Sequence, residues 1–211
     1  MMTGRTILVG AGGFGRELLC WALDAHRAGN FPKISGFLDA NPSALDGFNY
    51  GISWIGSIDD FSPAPNDQLL LGIGDPVTKR NIATLLLGRG GNFITLRHPT
   101  AVVASSATLG QGVVLCPYSV VSADVEIGDF VTINVNSTIG HDSSIGSFTT
   151  FSAHVDVTGG VQVGEGTFFG TSAAIVPRVK IGHGAKIGAG ALIMRSVAPD
   201  SVMYVMPAKK F

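Results

Sequence analysis

The stretch VSADVEIGDFVTINVNSTIGHDSSIG, residues 121–146, decides how the second half of this chain folds. Its aliphatic residues Val121, Ile127, Ile133, Ile139 and Ile145 stand six apart. The row extends without a break in phase from Val103, Leu109 and Leu115 before it to Phe151, Val157, Val163, Phe169, Ile175, Ile181, Ile187 and Ile193 after it, sixteen hexads in all. Four positions after each aliphatic residue comes a second small or β-branched one, as at Ala107, Val113, Ser119, Val125, Val131, Ser137, Ser143 and Thr149. An α-helix repeats every ~3.6 residues and a half-buried strand every two, so neither produces a strict period of six. A coil of short parallel strands does: each hexad makes one flat side and one corner, three hexads make one triangular turn, and the stacked turns bury an aliphatic column. The pattern predicts about five such turns, with glycine, 29 of the 211 residues, accommodating the tight corners.

Composition narrows what the molecule does. Apolar residues make up 45% and charged residues 14%, enough for a sizeable core and against disorder. A formal net charge of -1 offers no basic face for a nucleic-acid backbone. Two cysteines, Cys20 and Cys116, are too few for a disulfide framework or a zinc site and read as reduced thiols. The apolar run in MMTGRTILVG passes directly into a glycine motif, unlike a signal peptide, and no run approaches the ~20 residues that span a bilayer. These features predict a soluble, cytoplasmic protein.

Residues 1–98 read as a small α/β domain and 99–211 as the coil. TILVGAGGFGRELLCWAL is a strand, a glycine turn and a helix, with Gly10, Gly12 and Gly15 in the dinucleotide-fold spacing that lets a backbone approach phosphate at a helix N-terminus. KISGFLDAN gives a second strand ending in Asp39, near where a ribose-binding carboxylate falls, and QLLLGIG a third, leading through Gly74 into a helix. A nicotinamide dehydrogenase would need a second nucleotide half, which does not follow. A half-domain suits a mononucleotide, such as that of an activated sugar; the alternative is that the glycines only close a strand–helix turn.

Together, GAGGFGRE, GFLDAN, GIGDPVTKR, RHPTA, the hexads with IGHDSSIG and the final MPAKKF resemble the hexapeptide-repeat sugar acetyltransferases of the sialic-acid O-acetyltransferase, bacillosamine-pathway and perosamine N-acetyltransferase type. The resemblance implies a half-Rossmann α/β domain followed by a left-handed parallel β-helix; the handedness comes from it alone. It further implies a homotrimer with active sites between subunits, acetyl-CoA along the prism groove with no metal, and a nucleotide-sugar held by the first domain through Gly12, Gly13, Phe14, Asp39 and Gly74, in the service of surface-glycan synthesis. Phe14 departs from the pattern, since many members carry His there and a phenyl ring donates no hydrogen bond.

Acetyl transfer needs a nucleophile, a thioester and often a base. His141 has the side chain for the last, with an ordinary imidazole pKa near ~6.5. It stands third in its hexad, away from the aliphatic column, and Asp142 beside it would orient the ring and raise its basicity if a corner of the coil let the two converge. The resemblance assigns His141 as base and Asp142 as its partner. An exposed surface histidine, or one that only positions the acceptor, is the competing reading. His154 and His183 compete for the role, but both read as surface or interface residues; a neighbouring subunit's groove is the alternative setting for His154, and His183 falls on another side of the prism. The three share no metal-ligand spacing. By motif position the resemblance puts acetyl-CoA contacts at Thr150, Thr171 and Ala189, with Lys209 and Lys210 either near the cofactor's phosphates or part of a solvated basic tail. The sequence expectation is therefore an acetyl-CoA-dependent N-acetyltransferase acting on a nucleotide-linked aminosugar. The alternatives are an O-acetyltransferase on a sialic-acid type sugar, or a non-catalytic β-helix scaffold.

Overall fold

A computed structural model describes residues 4–206. The expected corners and sides are present. Eighteen two-residue strands run from Leu96–Arg97 to Val202–Met203 and stack in three parallel sheets of seven, six and five strands. Every one of the sixteen hexad aliphatics, Val103 to Ile193, is the second residue of a strand, and all but Val103 and Leu109 are buried. Rungs at Leu96–Arg97 and Val202–Met203 continue the first side beyond the hexads, so the coil runs to about six turns rather than five.

The buried second row explains why polar residues are tolerated inside. Ser137 Oγ donates to Ser152 O (2.8 Å), Ser143 Oγ to Thr158 O (3.2 Å) and Thr167 Oγ1 to Gly164 O (2.9 Å), so each hydroxyl satisfies a corner carbonyl in the next turn or its own. The expected use of glycine at the corners needs correction. In fourteen of the sixteen hexads the third residue after the aliphatic has positive φ, and it is often not glycine: Tyr118, Asp124, Phe130, Asn136, Asp142, Phe148, His154, Ser172 and Arg178 all lie between 55° and 63°. Glycine directly after the aliphatic serves a different purpose, since a Cβ on Gly140 would lie 2.5 Å from the Thr158 carbonyl carbon in the turn above. Stacking distance, not backbone dihedral, demands it there.

The first domain is a five-stranded parallel sheet: β1 (Thr6–Val9), β2 (Ile34–Leu38), β3 (Ser53–Gly56), β4 (Gln68–Leu71) and β5 (Asn92–Phe93), in the order β3-β2-β1-β4-β5. Helix α1 (Gly13–Arg27) follows β1 and α2 (Pro76–Gly88) follows β4. The strand order reverses direction between β1 and β4, which opens a crevice at their carboxyl ends, where nucleotide ligands bind in such sheets. The domain sits on the first side of the prism. Its core is continuous with Leu96, Val114 and Cys116, and Phe130 packs edge-on to Phe93 (5.0 Å) and stacks on Phe148 (5.2 Å). Among the described residues no helix is long and apolar enough to cross a membrane.

Candidate active site

With the seven-stranded sheet as the first side of the prism, the six-stranded sheet as the second and the five-stranded sheet as the third, the corner between Thr138–Ile139 on the second side and Ser144–Ile145 on the third carries the histidine. Ile139 and Ile145 point inward, fully buried or nearly so, which turns His141 and Asp142 outward. The chain bends because Asp142 adopts a left-handed conformation (φ 58°), and this brings its Oδ2 to 2.7 Å from His141 Nδ1. A carboxylate only accepts, so Nδ1 carries a proton and Nε2 keeps its lone pair when the ring is neutral. The corner that the sequence required for convergence is thus where the hexad put it. One turn above, Gly159 lies under the ring: a Cβ there would sit 2.6 Å from His141 Nε2 and Cε1. With Gly160, Pro177 and Arg178 these residues line a shallow groove parallel to the prism axis.

Thr171 and Ala189 stack one turn apart on a different corner, between the first and second sides, and both are exposed. His154 is exposed on that same corner with φ 60°. His183 lies on the remaining corner, 3.9 Å from Asp200 Oδ1. Within one chain His141 therefore does not meet Thr171, Ala189, His154 or His183. Thr150 is not in a groove at all. It is buried on the first side of the prism, where its hydroxyl donates to Gly74 O (2.7 Å) and accepts from Lys79 Nζ (2.7 Å). Lys209 and Lys210 lie outside the described residues.

In the first domain the crevice gathers Gly12, Gly13, Asp39 and Gly74. Gly72 and Gly15 both crowd Gly10 O, so the turns after β1 and β4 touch. Gly12 caps α1 without a side chain, and Gly12, Gly13 and Gly74 face open space, leaving the amide groups of the helix N-terminus accessible to an anion. The Asp39 carboxylate is more occupied than a free ribose ligand: Oδ2 accepts from Ala11 N (2.8 Å) and Oδ1 from Asn41 N (2.9 Å), so it also locks the glycine turn. Phe14 is half-buried, edge-on to Trp21 at 6.4 Å, in the apolar cluster that includes Cys116 and Val135.

Lys79 and Gly159 were not among the residues that the sequence singled out. Lys79 is 2% exposed, and its Nζ donates to Phe130 O (3.1 Å), Thr132 Oγ1 (2.9 Å) and Thr150 Oγ1. Desolvation drives its pKa down to about 7, opposed by the Asp75 charge. The signal was present in helical spacing, because Lys79 stands in the buried stripe Pro76, Lys79, Ala83, Leu86 of α2. Among the described residues no group of three or more His, Cys, Asp or Glu stands close enough to hold a metal.

Comparison with known proteins bears on what this geometry serves. Residues 160–195 match the family described as bacterial transferase hexapeptide (six repeats). A histidine-to-asparagine variant of perosamine N-acetyltransferase from Caulobacter crescentus, solved with CoA and GDP-perosamine, superposes with a TM-score of 0.82 at 25% identity, over 94% of this chain and 92% of that one. This chain resembles the hexapeptide-repeat sugar acetyltransferases. The acetyltransferase domain of PglB from Neisseria gonorrhoeae, in complex with acetyl coenzyme A, matches at TM-score 0.82 and 28% identity over 94% and 95% of the two chains. WeeI from Acinetobacter baumannii matches at 0.82 and 25% over 95% and 96%. No curated protein sequence matches. With these likenesses the coil is a left-handed parallel β-helix carrying a Rossmann-like half at its N-terminus.

Proposed function

We propose that this protein is an acetyl-CoA-dependent N-acetyltransferase that acts on a nucleotide-linked aminosugar. The observation that carries the reading is His141, its Nδ1 held by Asp142 at 2.7 Å and its Nε2 free in a groove, in a chain that resembles sugar acetyltransferases over 94% of its length. Domain 1–98 takes the nucleotide, with its phosphates at Gly12 and Gly13 and the sugar toward Gly74. Domain 99–211 brings the thioester. The sugar amine attacks the thioester carbonyl while His141 Nε2 accepts the amine proton, and Asp142 stabilises the imidazolium that forms. Collapse of the tetrahedral intermediate breaks the carbon–sulfur bond, and the imidazolium returns its proton to the departing thiolate. The products are an N-acetylated sugar and free CoA thiol.

The site is completed by a second copy of the chain. The second side of the prism presents Val102, Val120, Thr138, Asp156, Ala174 and Leu192 outward, with Val102 and Leu192 each 58% exposed, whereas the third side presents Thr108, Glu126, Ser144, Gln162 and Lys180. His141 flanks one edge of that apolar side and Thr171 and Ala189 the other. In a cyclic assembly about an axis facing it, one edge of each copy meets the opposite edge of the next, and three copies close the ring. Acetyl-CoA then runs between His141 of one copy and Thr171 and Ala189 of the next. Such an enzyme works in the cytoplasm, where its co-substrates are made.

The test is thiol release from acetyl-CoA with UDP-, GDP- and dTDP-aminosugars and with free sialic acid. Release with an aminosugar nucleotide is the expected result. Release with sialic acid alone would replace amine by hydroxyl acceptor, and no release with any would refute acetyl transfer.

A further inference from the structure

Lys79 is an ammonium-bearing side chain buried where the two halves of the molecule meet, with no carboxylate within salt-bridge distance among the described residues. Holding a cation there costs several kcal/mol in desolvation, so its position calls for a cause beyond packing. The hydrogen-bond arithmetic supplies one. Thr150 Oγ1 donates its only proton to Gly74 O, so towards Lys79 it accepts; Phe130 O also only accepts. Lys79 must therefore donate twice. Of its other partners, Thr132 Oγ1 accepts from a charged amine or donates to a neutral one, and the more distant Thr149 O (3.5 Å) only accepts, so every N–H of Lys79 is matched in either state. The charged or titratable groups facing it are Asp75, at the N-cap of α2, and Cys116, on the prism, whose thiol burial keeps protonated.

Every group in this network belongs to the prism except Lys79 itself and the carbonyl of Gly74. The chain of contacts runs from α2 through Lys79 to Thr150 and back to the loop that precedes α2. We infer that Lys79 is a positioning residue: with Thr150 it fixes the Gly74 carbonyl, and with it the Gly72–Asp75 wall of the crevice, in the orientation that receives the sugar nucleotide. This rests on the acetyltransferase reading above, and it gives Thr150 a different task from contact with the thioester, since its hydroxyl is already committed on both sides.

The test uses the full-length protein and the variants Lys79→Met, Thr150→Val and their combination, with Thr150→Ser as the variant that keeps the hydroxyl. Dissociation constants for UDP-, GDP- and dTDP-aminosugars are measured by calorimetry, and KM and kcat for acetyl-CoA by thiol release. The expected result is about tenfold weaker sugar-nucleotide binding in each of the first two variants, as for one lost buried hydrogen bond. The double variant is no weaker than either single one, the KM for acetyl-CoA does not change, and Thr150→Ser recovers the wild-type constant. Should Lys79→Met not fold, Thr150→Val and Thr150→Ser carry the same comparison. Unchanged sugar-nucleotide binding would overturn the inference, as would a shift confined to the KM for acetyl-CoA. Should the wild type bind a sugar nucleotide but release no thiol, the acetyl-transfer reading falls, while weakened binding in both variants still supports the positioning role.

Discussion

Replacing Gly159 by alanine separates the placement of His141 from the integrity of the fold. The added Cβ would lie 2.6 Å from Nε2 and Cε1 of the imidazole and 3.1 Å from Cδ2, where ordinary contact begins near 3.4 Å. The ring must move by about 0.8 Å, and it is free to do so because the side chain is 69% exposed. Tilting a side chain away from its rotamer costs ~0.5–1.5 kcal/mol. The φ of Gly159 lies outside the left-handed range, so alanine also gains ~0.4–1 kcal/mol by restricting the unfolded chain. These nearly cancel, and the Tm is expected to stay within ~3 °C of wild type. Catalysis responds differently, because a misplacement of about 1 Å at a reacting group costs on the order of 100-fold. The assay is single-turnover thiol release alongside thermal unfolding. Full activity in Gly159→Ala would refute the claim that His141 works from this seat. A loss accompanied by a fall in Tm of more than ~5 °C would mean that the scaffold, not the ring, had moved.

Gly140→Ala is the complementary change: its Cβ meets the backbone of Thr158 and Gly159 at 2.5–2.7 Å, two turns must separate, and denaturant unfolding should show a loss of ~1–3 kcal/mol. Asp142→Asn lets an amide donate to Nδ1 and moves the ring proton to Nε2, so kcat should fall by ~10²–10⁴ with little change in stability, read by steady-state kinetics and Tm. Lys79 has a folded-state pKa of about 7 against an ordinary 10.5. Between those values the unfolded chain binds the extra proton, so stability rises with pH and is lost as pH falls towards 7; the gain from pH 7 to 9 is about 2 kcal/mol, measured by denaturant unfolding, and Lys79→Met should remove it.

The coil was legible in the sequence because its cause is periodic. Each of the sixteen aliphatics from Val103 to Ile193 is a strand residue, and a period of six fits neither a helix nor a single extended strand. The rung at Leu96–Arg97 escaped because Arg97, although in phase, is not aliphatic, and the rung at Val202–Met203 because the last turn is two residues short: Met203 pairs with Ile187, sixteen residues back rather than eighteen, and so falls out of the six-residue phase. The His141–Asp142 contact was legible too, since both are local to one corner. Thr150 shows the limit. Its hexad position tells which side of the prism it faces, but the occupant of that side, Lys79, comes from 71 residues earlier, through a docking that no local pattern encodes. Gly159 was hidden for a related reason: its neighbour is His141 in the turn below, eighteen residues back, and what it contributes is the absence of a side chain.

The central claim, that His141 takes a proton from the acceptor as the acetyl group moves, is tested most directly by single-turnover thiol release with an accepted aminosugar nucleotide in wild type and His141→Asn. Asparagine fills similar space but accepts no proton, so a fall in the chemical step of about 10²-fold or more is expected, with acetyl-CoA binding retained. A variant that kept most of its single-turnover rate would contradict the claim and leave His141 as a group that holds the acceptor in place.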